Sequence, residues 1–396
     1  MVYILIFVYL SNLFFIKKNR LFKSSFILHF LFISLIFMGP TVYYELGGLS
    51  YSNSFEWVDL ITFEKYGIYV FSCTLIYLVI FVKVKKSIFN NYFVNYEDYN
   101  NKLVFIYFGF WYLIVFLYLL FYFNYLPVVQ FILSGSLPTR LDQSEKVKLF
   151  YTFSSFFMVF IPSGYFYFIR YLKTNFSKFM LLLIVAFILI SGGHKGLVTY
   201  FIIFALFFSG YKFNLKKMII TFFALIGLLS VYTLTKGKEF NKETLLYLLE
   251  SPPRRFFVTQ GSGFIARIYM DRKNLYIGNV NEYQLIKKQT FQHIYPGVRE
   301  TGAAPTIFLG DLHVKYGHYL TALSYILFLV LIFPFIKGTD NMKIRRLYLW
   351  WNLFILFYLL GTAEISWSSF LRVMLALGNF IIILLIPAFR LKMDET

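Results

Sequence analysis

The chain has 396 residues, of which 59% are hydrophobic and only 14% charged, with a formal net charge of +19. Its mean hydropathy of +0.66 excludes a soluble globule clothed in polar surface and fits an all-α, polytopic integral membrane protein. The single cysteine, Cys73, excludes a disulfide framework and a thiolate metal centre, and the basic excess does not imply nucleic acid, because most of it sits in short clusters between apolar runs.

A span needs about 20 mostly apolar residues. That length picks out about eleven transmembrane helices, starting near Met1, Ser25, Tyr66, Leu103, Phe150, Phe179, Leu197, Met218, Tyr319, Leu347 and Ser368. Met1–Ile16 has no basic leading segment and no small-residue cleavage site, so it reads as a retained span. Alternate connections are basic: Lys17 to Lys23, Lys83 to Lys86, Arg170 to Lys178, Lys212 to Lys217, Lys337 to Arg346, then Arg390 and Lys392. The connections between them are acidic or mixed, as with Glu45, Glu56, Asp59 and Glu64. The positive-inside rule then sets the N-terminus outside and the C-terminus in the cytoplasm. Residues 1–235 carry eight helices, 236–305 form a long extracytoplasmic loop, and 306–396 carry the last three. The loop is too apolar for disorder: Phe256, Phe257, Phe264, Ile268 and Tyr269 need burial. Pro252–Pro253 followed by a run through Arg272 reads as a helix with a glycine-softened middle, so short helices are expected there.

The common catalytic motifs for phosphate cradling, zinc hydrolysis and nucleophile elbows are missing, and no acidic cluster has metal-site spacing, so neither metal nor cofactor is expected. What stands out is cationic charge on the outer side. His194 and Lys195 lie in the hairpin Ser191–Gly196, where glycine amides and a cation together suit an anion; a plain tight turn with a snorkelling lysine competes. Arg254, Arg255, Arg267, Arg272 and Arg299 share the long loop, and a guanidinium fork suits phosphate oxygens. Each alone could equally be a solvated surface charge. Arg140 sits in an earlier outer loop near Asp142 and Glu145. Arg372 lies about one turn inside the last span, where charge is expensive; Glu364 is its expected partner. In Ala304–Leu320, Asp311, Lys315 and His318 fall on one helical face, with His313 pointing elsewhere. Asp311 could be a base with a raised pKa, or merely a charge neutralised by Lys315.

Two stretches carry a resemblance: SGGHKGL from Ser191, and PTIFLGDLHVKYG over Pro305–Gly317. Together with the span layout they resemble the bacterial Wzy family of O-antigen and capsule polymerases. That family has a mid-chain hairpin of SG-x-R/K-G character and a late outer loop followed by P-T-x-x-x-G-E/D-x-Y/H-x-x-F/Y-G. The chain departs from the pattern in carrying His194–Lys195 where arginine is commoner, and His313 where tyrosine is commoner.

The resemblance implies a GT-C-like glycosyltransferase of the bacterial inner membrane. It would move a growing glycan from undecaprenyl diphosphate to the non-reducing end of the next lipid-linked unit. Arg140, His194, Lys195, Arg254, Arg255, Arg267, Arg299 and Arg372 would then meet the diphosphate, and Asp311 or His313 would activate the acceptor hydroxyl. Implied partners are the lipid-linked oligosaccharide, membrane lipid, a flippase and a chain-length-regulating co-polymerase. A lipid-linked oligosaccharide flippase and an O-antigen ligase are the alternative readings; a flippase should carry cations in the middle of several spans, whereas here Arg372 is the main one.

Overall fold

The computed structural model describes residues 39–40, 58–83, 101–134, 145–192, 197–198, 200–202, 205, 259–279, 283–296, 308–340, 351–352, 354–356 and 367–394. All regular secondary structure among them is helical. The main helices are α1 (Leu60–Lys83), α2 (Asn101–Phe121), α3 (Pro127–Ser134), α4 (Phe150–Phe168), α5 (Asn175–Ser191), α6 (Thr259–Arg272), α7 (Tyr283–Ile294), α8 (Phe308–Asp340) and α9 (Trp367–Asp394). The spans expected to start near Tyr66, Leu103, Phe150, Phe179, Tyr319 and Ser368 each fall on one of these helices. Those expected near Met1, Ser25, Met218 and Leu347 start outside the described residues. The described helices group into two compact units: α1, α6, α7 and α8 in one, and α2 to α5 with α9 from Leu371 onward in the other.

In the second unit, α2 is long and apolar enough to cross a membrane, the one such helix among the described residues; α5 and part of α9 are apolar but shorter. Yet α2 is largely uncovered: Ile106, Phe110, Leu117 and Phe121 are all more than half exposed. A helix in the core of a soluble protein would hide such residues. Its other face stacks on α4, with Trp111 on Phe160 at 3.9 Å and Tyr118 on Phe153 at 4.0 Å between ring centroids. Those pairs run in opposite sequence directions, so α2 and α4 are antiparallel. At their crossing, a Cβ on Gly164 would lie 2.5 Å from the Tyr112 ring, and the Tyr112 hydroxyl is anchored by donating to the Ile161 carbonyl at 2.8 Å. Only glycine admits that approach.

α9 brings a polar stripe to the same unit. Arg372 and Asn379 are two turns apart, hence on one face. Arg372 Nε donates to Ser155 Oγ at 3.0 Å, and Asn379 Nδ2 lies 3.4 Å from Ser163 Oγ. The order of these pairs makes α4 and α9 parallel. Asn379 also donates to the Asn352 side-chain oxygen and accepts from the Tyr107 hydroxyl at 2.8 Å. With Asn379 1% exposed and Asn352 and Ser163 0% exposed, losing the central amide removes a shared hydrogen-bond partner from three polar side chains. Asn379→Ala is expected to cost about 1–2 kcal/mol, read as a lower thermal midpoint of the detergent-purified protein.

In the first unit, Asp59 opens α1 as its N-cap: its Oδ1 accepts from the Thr62 amide at 2.9 Å and the Thr62 hydroxyl at 2.6 Å. α6 ends where Asn274 takes a left-handed conformation and the Leu275 amide turns back to the Met270 carbonyl at 2.9 Å. The following turn is clamped to α7 by Gln289, whose amide group both accepts from the Ile277 N–H (3.0 Å) and donates to the Ile277 carbonyl (2.6 Å). Within the stretch 236–305, the described residues thus form two short helices, α6 and α7. α6 packs against α1, α7 and α8. α8 is broken at Gly317, whose φ of 75° and ψ of −177° are not helical.

Candidate functional site

The described part of the Pro305–Gly317 motif, from Phe308 onward, and the loop helix α6 meet in the first unit. Arg267, in mid-α6, is fully buried together with Asp311 from the first turn of α8. Arg267 Nε donates to Asp311 Oδ1 at 2.7 Å and its Nη1 donates to the Gly263 carbonyl at 3.0 Å. Either charge alone would cost several kcal/mol to bury, so each is there because of the other. The expected neutralising partner of Asp311 was Lys315 on its own helix; Arg267, 44 residues away in sequence, holds that place instead. Neither side chain reaches solvent. In this arrangement the pair braces α6 against α8, and the diphosphate contact expected of Arg267 or the base role expected of Asp311 would need that pairing to open.

Two residues on, α8 contributes His313. Its Nδ1 lies 2.7 Å from the Tyr69 hydroxyl of α1, and its Nε2 lies 3.4 Å from Asp271 Oδ2 near the end of α6. The rings of Tyr69 and His313 meet edge-on at 5.6 Å, and the His318 ring lies tilted 4.3 Å from that of Tyr69. His313 and His318 were expected on different faces of one straight helix. The break at Gly317 removes that relation, so both histidines contact the same tyrosine. Phe264 of α6 closes the cluster against Tyr66 and Tyr69, at 5.7 and 5.2 Å between ring centroids.

The rim is charged. Arg272 forms an ion pair with Asp59, and Lys273 Nζ sits 3.6 Å from the same carboxylate oxygen. The two cations at the C-terminal end of α6, favourably placed for its dipole, thus tie it to the N-cap of α1. Behind them, Tyr276 bonds the Thr290 hydroxyl at 3.0 Å. Burial pushes its phenol up to about 12, against the lowering pull of Arg267 and of the Thr290 hydrogen bond. His293 of α7 stacks on Tyr269, 5.4 Å between centroids, and burial holds its pKa below the ordinary value.

Of the residues singled out in the sequence, the structure brings together Arg267, Arg272, Asp311, His313 and His318. Arg372 belongs to the other unit and bonds Ser155. Arg140, His194, Lys195, Arg254, Arg255, Arg299 and Glu364 lie outside the described residues. Sequence reasoning missed Tyr69 and Asp271. Among the described residues, no group of His, Cys, Asp and Glu side chains could hold a metal ion. No protein-family model, curated protein or solved structure matches the chain.

Proposed function

We propose that this chain is a polytopic membrane glycosyltransferase, GT-C-like with about eleven spans. It would polymerise undecaprenyl-diphosphate-linked oligosaccharide repeat units on the outer side of the cell membrane. The observation that carries the reading is the meeting of two parts that the sequence already linked to this chemistry. The outer-loop helix α6 and the Pro305–Gly317 motif share one cluster, with His313 on Asp271 and Asp311 on Arg267.

Two features support the membrane part. α2 is apolar and largely exposed. The directions also agree with the span count: α4 and α9 are the fifth and eleventh expected spans and run parallel, while α2, the fourth, opposes α4. A chain that alternates sides at each span must obey that parity. The chemistry itself asks little of the protein. The leaving group is already a diphosphate, so cations near its developing charge and one base for the acceptor hydroxyl suffice. Arg140, His194, Lys195, Arg254, Arg255, Arg299 and Arg372 are the candidate cations for the diphosphate.

Deletion of the gene, followed by gel analysis of surface polysaccharide, is the test. A polymerase predicts single repeat units in place of long chains. Polymer retained on the carrier lipid would indicate a ligase, and repeat units trapped on the cytoplasmic side a flippase. In the complemented strain, Lys195→Ala, Arg254→Ala and Arg299→Ala should each lose long chains at unchanged membrane levels. Wild-type chain length in all three would sink the diphosphate assignment.

A further inference from the structure

A base that activates an acceptor hydroxyl has to touch that hydroxyl. Among the described residues, the cluster around His313 contains three carboxylates, and they differ in what is open. Asp311 has no exposed surface and is paired with Arg267. Asp59 is committed on both oxygens, Oδ1 to Thr62 and Oδ2 to Arg272 and Lys273. Asp271 is 43% exposed, and the group facing it is His313, which is itself only 8% exposed.

His313 then works on Asp271 and not on a substrate. Its two ring nitrogens are both engaged, one with Tyr69 at 2.7 Å and one with Asp271 at 3.4 Å. A carboxylate opposite Nε2 favours the tautomer that carries the proton there, and Nδ1 then accepts the hydrogen of the Tyr69 hydroxyl. In that state the imidazole has no free lone pair to offer an acceptor. Its Nε2–H then faces a half-exposed carboxylate 3.4 Å away, and Tyr69 holds the ring. The neighbouring cations do not occupy Asp271: Arg272 and Lys273, next in sequence, are turned to Asp59.

We propose that Asp271 is the catalytic base of the glycosyl transfer, with His313 and Tyr69 as positioning residues behind it. The assignment rests on the polymerase reading above. In the step, the acceptor sugar's O–H proton passes to an Asp271 oxygen as that hydroxyl oxygen bonds to the donor's anomeric carbon. The bond from the anomeric carbon to the diphosphate oxygen breaks, and its electron pair leaves with the lipid diphosphate. Asp271 then returns the proton to water through its exposed side.

The test uses the full-length protein in nanodiscs with undecaprenyl-diphosphate-linked repeat units extracted from the deletion strain. Wild type should extend them. Asp271→Asn, isosteric and at a partly exposed position, should keep the wild-type thermal midpoint and slow extension by about 100-fold or more. Asp271→Glu should retain part of the rate, and added formate should partly restore Asp271→Ala. His313→Gln, which keeps a side-chain donor, should keep more activity than His313→Ala, with both above Asp271→Asn. Extension by Asp271→Asn at the wild-type rate would overturn the assignment and leave the polymerase reading intact. So would His313→Ala proving slower than Asp271→Asn. Failure of the wild-type protein to extend the units would instead remove the polymerase reading, and this assignment with it.

Discussion

Arg267→Ala is expected to destabilise the protein by about 3–5 kcal/mol, because it leaves the Asp311 carboxylate buried with its partner removed. The measurement is the thermal midpoint in detergent together with the level of protein in the membrane; both should fall, and under the polymerase proposal long glycan chains should disappear with them. The cause can be separated from ligand binding. Removing both charges at once, as Arg267→Leu with Asp311→Leu, takes away the stranded ion and replaces the pair by apolar volume. Such replacements are often neutral or stabilising, so the double variant should recover most of the lost stability. It should also recover chain extension, since neither side chain reaches solvent. A stable but inactive double variant would return Asp311 or Arg267 to the chemistry. Arg254 and Arg299 differ from this pair: under the proposed function their alanine variants are expected to lose long chains while membrane levels stay normal.

How far the sequence revealed this arrangement depended on the range of the interaction involved. Helices such as α2, α4 and α9 were legible because an apolar run of span length can hardly form anything else. α3 was not, since the eight residues Pro127–Ser134 are too short a run to stand out beyond the proline that starts them. The Asn379 network went unread, although an asparagine two turns from Arg372 in an apolar helix was a signal that could have been followed. The loop arginines were picked out by charge, and charge alone does not say which face of a folded loop each one takes. Arg267 turned inward to Asp311 because α6 packs across α8, a fact of tertiary contact that no local pattern encodes. The same packing explains why Asp271 was overlooked. In the sequence it is one acid among basic neighbours, with Arg272 and Lys273 beside it, and reads as neutralised. In the fold those cations reach Asp59, and Asp271 is left to His313.

Gly317→Ala tests the one backbone feature on which the cluster depends. Gly317 has φ of 75° and ψ of −177°, a region that residues with a Cβ rarely enter. A Cβ there would meet nothing within 4 Å, so the cost is conformational and no neighbour can relax to relieve it. Holding alanine in such a conformation costs about 1–3 kcal/mol. The protein can avoid that cost only by straightening α8. Straightening would carry His318 away from Tyr69, which it now meets at 4.3 Å, and would disturb the 2.7 Å bond between Thr321 Oγ1 and the Gly317 carbonyl that stiffens the turn beyond the break. Tyr69 is also the partner of His313, so its position bears on Asp271 as well. If the full strain falls on the active arrangement, chain extension should drop by roughly 5- to 160-fold, while protein level changes little. Gly109→Ala is the matching control: its Cβ would also meet nothing within 4 Å, but that glycine sits inside the helix α2. There alanine should be neutral or slightly stabilising. Equal activity in the two variants would mean that the break in α8 has no part in holding the cluster together.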